Sequence, residues 1–537
     1  EVCPVEWGRM PGRSVLQWDK DDCAAIGLVK FDLLGLGMLE ALHRMVDLVR
    51  DFHGVSVDLA QLPQEDEVYD LLCRADTVGV FQVESRAQMG TLPRVQPRCF
   101  YDLAIEVALI RPGPIQGHAV NPYIRRRRGE EEVTYLHPLL EPILRRTLGV
   151  PLFQEQLMEM AVAIAGFSAA DADELRQAMA AKRSAARMEK MRVRLYEGMA
   201  ARGVEGAVAD QVFAALAAFA NFGFPESHSV SFAHLVYSSS WLKLHYPAAF
   251  TAGLLNSQPM GFWSPQSLVA DARRHGVTVR RPHVNRSEAG ASLERAEEGG
   301  CDDPVLRLGL ASVRGVGQGV AERIRAGRPW SGEEDLVRRA GVNRAQLETL
   351  AAAGALDPQE RTDSRSRRRW LWAAGAAAQG TPDRLPGIVT GAEAPPLPEA
   401  TAYESVGDDL WALGLAPEHT AMHLARERLE AMGVVPAAAL GGRVDKERVM
   451  VAGMVTHRQH PETARGAVFV NLEDETGHVN VVFSRGAWAR WKAVARHAPV
   501  LLIRGRLELG QGTVNLTAER VEALTVGTAV PASRDFR

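Results

Sequence analysis

The most constraining feature of the sequence is a run of five β-patterned segments near the C-terminus, because such segments bury a core only by pairing with one another. These segments lie at residues 449–457, 468–473, 478–483, 500–509 and 514–521. A helical pattern at residues 487–496 separates the third segment from the fourth. Five strands with a helix after the third predict an OB-fold β-barrel, in which residues 472–477 form a hairpin turn.

An OB-fold binds single-stranded nucleic acid by stacking bases on aromatic rings above a basic groove. The residues that could serve this purpose here are Phe469, Phe483, His457, Arg458, Arg504 and Arg506. We take Arg504 as the candidate DNA-binding residue of this segment. A purely structural barrel is the alternative interpretation.

A second constraint is a single carboxylate inside an apolar strand pattern at residues 26–36. Alternation places apolar side chains on one face of the strand and Asp32 on the other. A buried, unpaired carboxylate is unfavourable, so Asp32 needs a partner. It either pairs with Lys30 or faces water on an edge strand, or it is a metal ligand.

Bulk composition excludes several classes of protein. A chain of 537 residues has room for three or four domains, and its net charge of -4 means that nucleic-acid contacts must come from local clusters. The five cysteines contain no Cys-x-x-Cys pair, which argues against a structural zinc site and against a disulfide framework. No apolar run reaches the roughly 18 residues of a membrane span.

Several motifs resemble those of one family. Residues 17–22 and 29–36 are similar to the end of the palm in bacterial C-family DNA polymerases, the family of the polymerase III alpha subunit. Residues 77–89, with a strand-like alternation at their start, resemble the run that opens the fingers of that family. Residues 107–114, 154–156 and 219–229 resemble further fingers motifs, and the likeness covers about residues 15–521 in family order.

The resemblance implies that Asp32 is the third of three magnesium-binding aspartates in a two-metal site. The other two belong to an upstream Pro-Asp-Phe-Asp type motif, which the sequence does not contain. Two-metal phosphoryl transfer needs clustered carboxylates, and one aspartate does not suffice. We therefore expect an N-terminally truncated, C-terminal portion of a longer enzyme that is inactive alone, with Mg²⁺ as the cofactor.

The resemblance also implies nucleotide-binding residues. Arg111 precedes Pro-Gly-Pro, which holds it extended on a stiff turn. Lys182 and Arg183 follow the predicted helix at 169–179, although the family pattern there is altered by two alanines. His228 follows Ser227, the predicted N-cap of the next helix.

In the family the three cations face the triphosphate and the histidine lies against the sugar, where it can exclude a 2′-OH. A surface arginine, cations at a helix C-terminus and a capping histidine are the alternatives.

Four consecutive arginines at residues 125–128 precede three glutamates at 130–132. The arginines could bind a DNA backbone by releasing counterions. They could equally form a solvated surface that pairs with the glutamates, and we favour this second interpretation.

Residues 306–357 resemble a pair of helix-hairpin-helix motifs. The first hairpin carries Arg314, Gly315 and Gly317, and a degenerate second hairpin lies at 341–343. Glycines let backbone N–H groups approach a DNA phosphate, so these three residues are candidate DNA contacts. Residues 359–398 are rich in Arg, Ala, Gly and Pro and are predicted to be a linker without a sliding-clamp peptide.

The predicted fold class is multidomain α+β. We expect the end of a polymerase-β-like palm at 1–50, mainly helical fingers at 51–290 and a helix-hairpin-helix DNA-binding domain at 300–358. A linker and connector at 359–440 and an OB-fold β-barrel at 445–526 follow.

The resemblance implies a DNA-directed DNA polymerase that adds dNTPs to a primer 3′-OH. The chain ends soon after the barrel, and this feature favours the error-prone, damage-induced translesion and repair paralogue. The alternatives are a truncated replicative alpha subunit and, in a different class, a non-catalytic DNA-binding module. Expected partners are primer-template DNA, dNTPs and a sliding clamp or translesion accessory proteins, with no membrane, in the cytoplasm.

Overall fold

The structure is a computed structural model of the chain. It describes residues 2–28, 33, 35–110, 117–180, 185–220, 224–296, 304–357, 364–385, 391, 393–461, 464, 466–528, 530–531 and 533–536. At the N-terminus, strands β1 (Val5–Trp7) and β2 (Ser14–Leu16) pair antiparallel and precede helix α1 (Lys20–Ala25). Residues 29–32, at the centre of the predicted strand around Asp32, lie outside the described residues, and the flanking residues 26–27 and 35 are turns.

Helices dominate the next part of the chain. They are α2 (Leu36–His53), α3 (Asp66–Cys73), α4 (Arg86–Val95), α5 (Phe100–Leu109), α6 (Gly117–Arg127), α7 (Glu141–Leu144), α8 (Gln154–Ala165), α9 (Ala169–Ala180), α10 (Ala185–Ala200), α11 (Gly206–Ala220), α12 (Glu226–His245), α13 (Pro247–Asn256) and α14 (Pro265–Arg274).

These helices bury two main apolar cores. In the first, α12 packs on α5 and α13 packs on α2 around residues such as Met45, Val68 and Val236. In the second, α8 to α11 pack around Ile164 and Leu195. Helix α2 buries one face at helical spacing, as an amphipathic helix does, whereas α5 and α13 bury consecutive residues and are enclosed on all sides.

The predicted strand at the start of 77–89 is wrong, because residues 77–85 form consecutive turns. Gly79 and Gln82 have φ angles of +76° and +62°, which are incompatible with an extended strand. Thr77 Oγ1 donates to the Val83 carbonyl at 2.8 Å and holds the turns together. A Cβ on Gly79 would lie 2.6 Å from Leu254, so glycine is required for packing as well.

A small three-stranded sheet begins the next unit. Strand β3 (Val279–Arg280) pairs parallel with β5 (Val305–Arg307), which pairs antiparallel with β4 (Ser292–Glu294). The helices that follow are α15 (Gly317–Ala326), α16 (Glu333–Asp335), α17 (Arg344–Ala352), α18 (Ser364–Ala377), α19 (Ala402–Leu413) and α20 (Ala421–Ala431).

Helix α18 corrects the first part of the predicted linker over 359–398, whereas its described residues after 379 contain no helix or strand. The helix packs along α17, and Arg367 on α18 is 5% exposed. The Arg367 guanidinium lies 2.8 Å from Asp409 on α19, which also accepts from Arg281. A buried, shared carboxylate therefore anchors this segment, which folds as part of the core despite its arginine-rich composition.

The C-terminal part forms the predicted barrel. Its strands are β6 (Arg448–Gln459), β7 (Val468–Glu473), β8 (His478–Phe483), β9 (Val500–Gly510), β10 (Thr513–Ala523) and β11 (Arg534–Phe536), with helix α21 (Arg485–His497) between β8 and β9.

Strand order closes the barrel. The order is β11-β6-β7-β8-β10-β9, and β6 also pairs with β9, so five strands form a closed ring with β11 added at β6. The β8–β10 pair is parallel, whereas the other neighbours within the ring are antiparallel. Inward-facing Val470, Val481, Ile503 and Leu516 fill the interior. The expected strand pattern and the helix after the third strand are confirmed.

Candidate nucleic-acid interface

The predicted site residues divide into two groups. Asp32, Arg111, Lys182 and Arg183 lie outside the described residues. The structure describes His228 at the start of α12, Arg314, Gly315 and Gly317 at the first hairpin, and Arg504 on β9.

A hydrogen-bonded cluster fixes the start of α12. The backbone N–H of Glu226 donates to Glu155 Oε2 on α8 at 2.8 Å, and the Tyr101 hydroxyl on α5 donates to Glu226 Oε1 at 2.7 Å. Arg146 stacks over the Tyr101 ring at 3.6 Å. Three segments of the chain thus hold the helix start, and the predicted hydrogen-bonding role of residues 154–156 is confirmed by Glu155 and by Gln156, which accepts from two backbone N–H groups.

His228 is half-buried on this helix start. Its ring centroid lies 5.1 Å from that of Phe224 and 4.3 Å from that of Phe232. The next residue, Ser229, donates to the Ala104 carbonyl on α5. Aromatic contacts and this anchor orient the imidazole beside the N-terminus of α12.

The N-cap prediction at Ser227 is wrong. Helix α12 begins at Glu226, and its N-cap position is Pro225. Proline fits a helix start because it has no N–H to satisfy. Ser227 lies within the first turn, where its carbonyl accepts from the Ser231 hydroxyl at 2.9 Å.

The four-arginine run is paired rather than free. Arg125 and Arg126 contact Glu131 at 2.8 and 3.0 Å, and Arg128 contacts Glu130 at 3.0 Å. Arg127 reaches back to the buried Asp102 on α5 at 2.6 Å. The self-paired interpretation of this segment is confirmed.

The first hairpin presents an exposed glycine turn. Gly315 and Gly317 have φ angles of +77° and +64°, and a Cβ on either would meet nothing within 4 Å. Their backbone conformation requires glycine, and the surface beside them is open. The Arg314 N–H donates to the Ala412 carbonyl at 2.8 Å, and its guanidinium lies 5.7 Å from the half-exposed Trp411 ring.

The second hairpin adjoins the first. Gly341 has φ +65°, and Asn343 caps α17 through reciprocal 3.0 Å hydrogen bonds with Gln346. The Gln346 side-chain amide also donates to the Gly315 carbonyl at 2.9 Å. The two hairpin turns therefore form one exposed surface with two adjacent helix N-termini, a geometry suited to a DNA phosphate.

Arg504 is exposed on the outside of the barrel. Its Cα partners are Met450 on β6 and Arg520 on β10, and it lines a shallow cleft with Arg443 and Arg448. Its guanidinium is accessible to a phosphate in solution.

The other residues predicted for the barrel groove occupy different positions. Phe483 is fully buried in the core, and Arg458 donates to the carbonyls of Ala495 and Ala498 at 2.8 and 2.7 Å. His457 is 2% exposed and stacks on Phe262 with ring centroids 4.0 Å apart. The prediction of an open groove on the first strands is wrong, because the preceding helical part of the chain packs against that face.

Charged residues reinforce this packing. Glu473 on β7 is 1% exposed and accepts from Ser267 at 2.8 Å and Arg274 at 3.2 Å, both on α14. On the same helix, Asp271 contacts the buried Lys243 of α12 at 2.8 Å. The Glu473–Arg274 ion pair therefore fixes the barrel to α14, and the Asp271–Lys243 pair fixes α14 to α12.

One acidic cluster lies apart from the metal site predicted at Asp32, which is outside the described residues. Among the described residues, the only group with metal-ligand spacing is Asp76, Asp271 and His275. Lys243 Nζ lies 3.0 Å from Asp76 and 2.8 Å from Asp271, so a cation already neutralises the pair. These residues do not fit Mg²⁺, which prefers carboxylates and waters in octahedral geometry.

Two buried groups escaped the sequence analysis. Glu106 on α5 is fully buried, and neither of its carboxylate oxygens has a hydrogen-bond partner among the described residues. Burial raises the pKa of Glu106 to about 8. The sequence feature that could have indicated the buried Glu106 is a single acidic residue in an otherwise apolar stretch of helix. Arg86 has a shielded nitrogen without a partner in the described part of the chain, and nothing in its local sequence indicates this.

Within the described residues, every helix is too short or too polar to cross a membrane.

Three family models match the chain. The bacterial DNA polymerase III alpha subunit finger domain matches residues 38–203, a helix-hairpin-helix motif matches 276–367, and an OB-fold nucleic acid binding domain matches 449–524.

Curated relatives agree with these matches. The chain is 58% identical to a protein from Nocardia farcinica, 57% to one from Mycolicibacterium paratuberculosis and 54% to one from Corynebacterium efficiens, each named error-prone DNA polymerase. Each match covers 100% of this chain and 47%, 49% and 49% of the relative. The chain thus spans about half the length of the curated relatives it matches. It belongs to the bacterial C-family DNA polymerases, the family of the polymerase III alpha subunit, and is similar to members of that family named error-prone DNA polymerase.

Proposed function

We propose that this chain is the nucleotide- and DNA-binding portion of an error-prone DNA-directed DNA polymerase, which adds dNTPs to a primer 3′-OH during damage-induced translesion synthesis and repair. The observation that carries the proposal is the 58% identity along the whole chain to a relative of that name. The order of fingers, paired hairpins and barrel supports it, because each of these parts is suited to a different portion of a primed template.

The proposed roles of the described residues follow from their geometry. His228 is oriented by two aromatic rings beside a helix N-terminus, and this position suits contact with the sugar of an incoming nucleotide. A ring packed there would collide with a 2′-OH, so His228 would select deoxyribonucleotides.

The paired hairpins would hold the duplex. The exposed backbone at Gly315 and Gly317 allows a phosphate to approach N–H groups closely, and Arg314 beside them adds a positive charge. Contacts of this kind position DNA without reading its sequence, as a polymerase requires. Arg504 on the barrel would add a backbone contact farther along the DNA.

The remaining roles rest on the family motifs. Asp32 would be a catalytic residue and a magnesium ligand, and Arg111, Lys182 and Arg183 would neutralise the triphosphate. DNA polymerases generally use Mg²⁺, which when bound offsets negative charge on the phosphates. Further proposed partners are a sliding clamp or translesion accessory proteins, and the proposed location is the cytoplasm.

Primer extension by the full-length protein tests the proposal. Asp32→Ala should abolish extension of a primed template, because a metal ligand would be lost. Asp51→Ala is the matched control, since Asp51 is a 68% exposed carboxylate on α2 and its loss should leave extension unchanged. Full activity of Asp32→Ala would remove the metal-ligand assignment. Absence of extension by the parent protein would favour a non-catalytic DNA-binding module.

A further inference from the structure

The position of His228 depends on contacts that its neighbours on α12 make to α5. Glu226 lies two residues before His228, and its Oε1 accepts a hydrogen bond from the Tyr101 hydroxyl at 2.7 Å. Ser229 directly follows His228, and its hydroxyl donates to the Ala104 carbonyl. The histidine is therefore bracketed by two contacts to a single neighbouring helix.

The two contacts lie at different depths. Tyr101 and Ala104 are three residues apart on α5, so they belong to the same face of that helix. Ser229 is fully buried, whereas the Glu226 side chain is 26% exposed. The Tyr101 contact is thus the outer one of the pair, and it holds the first turn of α12.

The Tyr101 ring is itself held on two sides. The Arg146 guanidinium stacks 3.6 Å from the ring centroid, and the Phe153 ring centroid lies 6.2 Å away. Burial and the hydrogen bond to Glu226 raise the pKa of Tyr101, so the hydroxyl keeps its proton and remains the donor. A ring clamped in this way presents its hydroxyl at a defined point, which a positioning residue requires.

The main chain at the same point has a separate support. The Glu226 N–H donates to Glu155 Oε2 on α8 at 2.8 Å. This bond does not involve Tyr101, so it would persist if the Tyr101 hydroxyl were removed. Loss of the hydroxyl should therefore loosen the first turn of α12 without unfolding it.

We propose that Tyr101 is a positioning residue for His228 and, through it, a determinant of sugar selection. The proposal rests on the proposed function, in which His228 lies against the sugar of the incoming nucleotide. The Tyr101 hydroxyl holds Glu226, and the turn that begins at Glu226 sets how far the imidazole reaches towards the 2′ position. A misplacement of about 1 Å can change a rate by roughly a hundredfold, so a small loosening is enough to alter selection.

Single-nucleotide incorporation by the full-length protein tests the proposal, with kcat and KM measured for dCTP and for CTP opposite a template guanine. Tyr101→Phe keeps the ring and removes the hydroxyl. It should lower the ratio of kcat/KM for dCTP to that for CTP about fivefold, the order expected from one lost hydrogen bond. The change should come from a lower KM for CTP, with both constants for dCTP within twofold of the parent. Equal losses of kcat/KM for the two substrates would show a merely structural role and overturn the proposal.

A double variant tests whether Tyr101 acts through His228. His228→Ala has already lost the ring that excludes the 2′-OH. Adding Tyr101→Phe to it should therefore change the selection ratio less than twofold, because the two residues act as one unit. A further fivefold loss in the double variant would show that the hydroxyl acts independently of the histidine, and would overturn the proposal.

Two substitutions at Glu226 test the acceptor. Glu226→Gln keeps an oxygen for the Tyr101 hydroxyl and should retain the parental ratio, whereas Glu226→Ala should match Tyr101→Phe and carries the test if that variant does not fold. Tyr196→Phe is the matched control, since the Tyr196 hydroxyl on α10 donates to Asp210 on α11 at 2.8 Å, and its loss should leave the ratio unchanged. A parental ratio in both Tyr101→Phe and Glu226→Ala, or in the only one of them that folds, would overturn the proposal.

Failure of this proposal is distinguishable from failure of the proposed function. A parent protein that extends primers and selects deoxyribonucleotides, but whose selection ignores Tyr101→Phe and Glu226→Ala, would overturn the positioning role alone. A parent protein that extends no primer would overturn the proposed function and the positioning role together.

Discussion

Glu106 allows a sharp test of the electrostatics of the helical part. The carboxyl group is fully buried on α5, and no described residue donates a hydrogen bond to it. Burial raises its pKa from 4.5 to about 8, so the folded protein binds a proton at pH 7 that the unfolded chain releases. Stability contributed by this site is therefore fully present below about pH 4.5 and falls as the pH rises towards 8.

The magnitude follows from the two pKa values. At pH 7 the unfolded carboxyl is 2.5 pH units above its pKa of 4.5, so keeping the folded group protonated costs about 3 kcal/mol at 1.36 kcal/mol per unit. At pH 5 the same cost is below about 1 kcal/mol. Glu106→Gln has nearly the same shape as protonated Glu106 and removes this cost. It should stabilise the chain at pH 7 by about 3 kcal/mol, or roughly 6–12 °C in Tm for a unit of 150–250 residues.

The assay is thermal unfolding of the parent and Glu106→Gln at pH 5 and at pH 7. The difference in Tm should be small at pH 5 and large at pH 7. Glu132→Gln, a change at an exposed loop carboxylate, should leave both values unchanged. A Glu106→Gln chain that is less stable than the parent at pH 7, or a difference independent of pH, would refute the reasoning and require an ionised partner for Glu106.

Three further outcomes are expected. Gly315→Ala should weaken duplex binding by up to about tenfold in a filter-binding assay, because a side chain at its positive φ angle costs roughly 1–2 kcal/mol. The control Gly319→Ala, in α15 with open space around it, should leave duplex binding unchanged. Equal losses of affinity in the two variants would contradict the proposed role of the hairpin. His228→Ala in the full-length protein should lower discrimination against ribonucleotides about tenfold in single-nucleotide incorporation, whereas the exposed His234→Ala should not. Asp409→Asn should destabilise the chain by about 3–5 kcal/mol in urea unfolding, because the buried Arg367 loses its carboxylate partner and Arg281 keeps only Glu418. An unchanged midpoint would show that this pairing is not needed.

The barrel could be predicted because its strands alternate with a period of two and end at recognisable turns. The helices of the fingers could be predicted because their apolar residues recur about every 3.6 residues. The turns at residues 77–85 could not, because Gly79 and Gln82 adopt positive φ angles within a sequence that alternates like a strand. The alternation of apolar and polar residues does not indicate where the backbone adopts a positive φ angle.

Contacts between residues far apart in the sequence explain why the other predictions were wrong. Helix α18 has the composition of a linker, and its fold depends on Asp409, which lies 42 residues after Arg367. The closed face of the barrel depends on Phe262, 195 residues before His457. Sequence placed candidate residues on that face but could not indicate what covers it. The lack of a described partner for Arg86 Nη1 and for the Glu106 carboxylate is likewise a property of the packed structure, since neither residue lies in a charged cluster.

The most direct test of the central claim is extension of a primer across an abasic site by the full-length protein, compared with extension on an undamaged template. An error-prone polymerase should extend both primers, with products that continue beyond the lesion. Efficient extension on the undamaged template that stops one nucleotide before the abasic site would contradict translesion synthesis and identify a replicative enzyme instead.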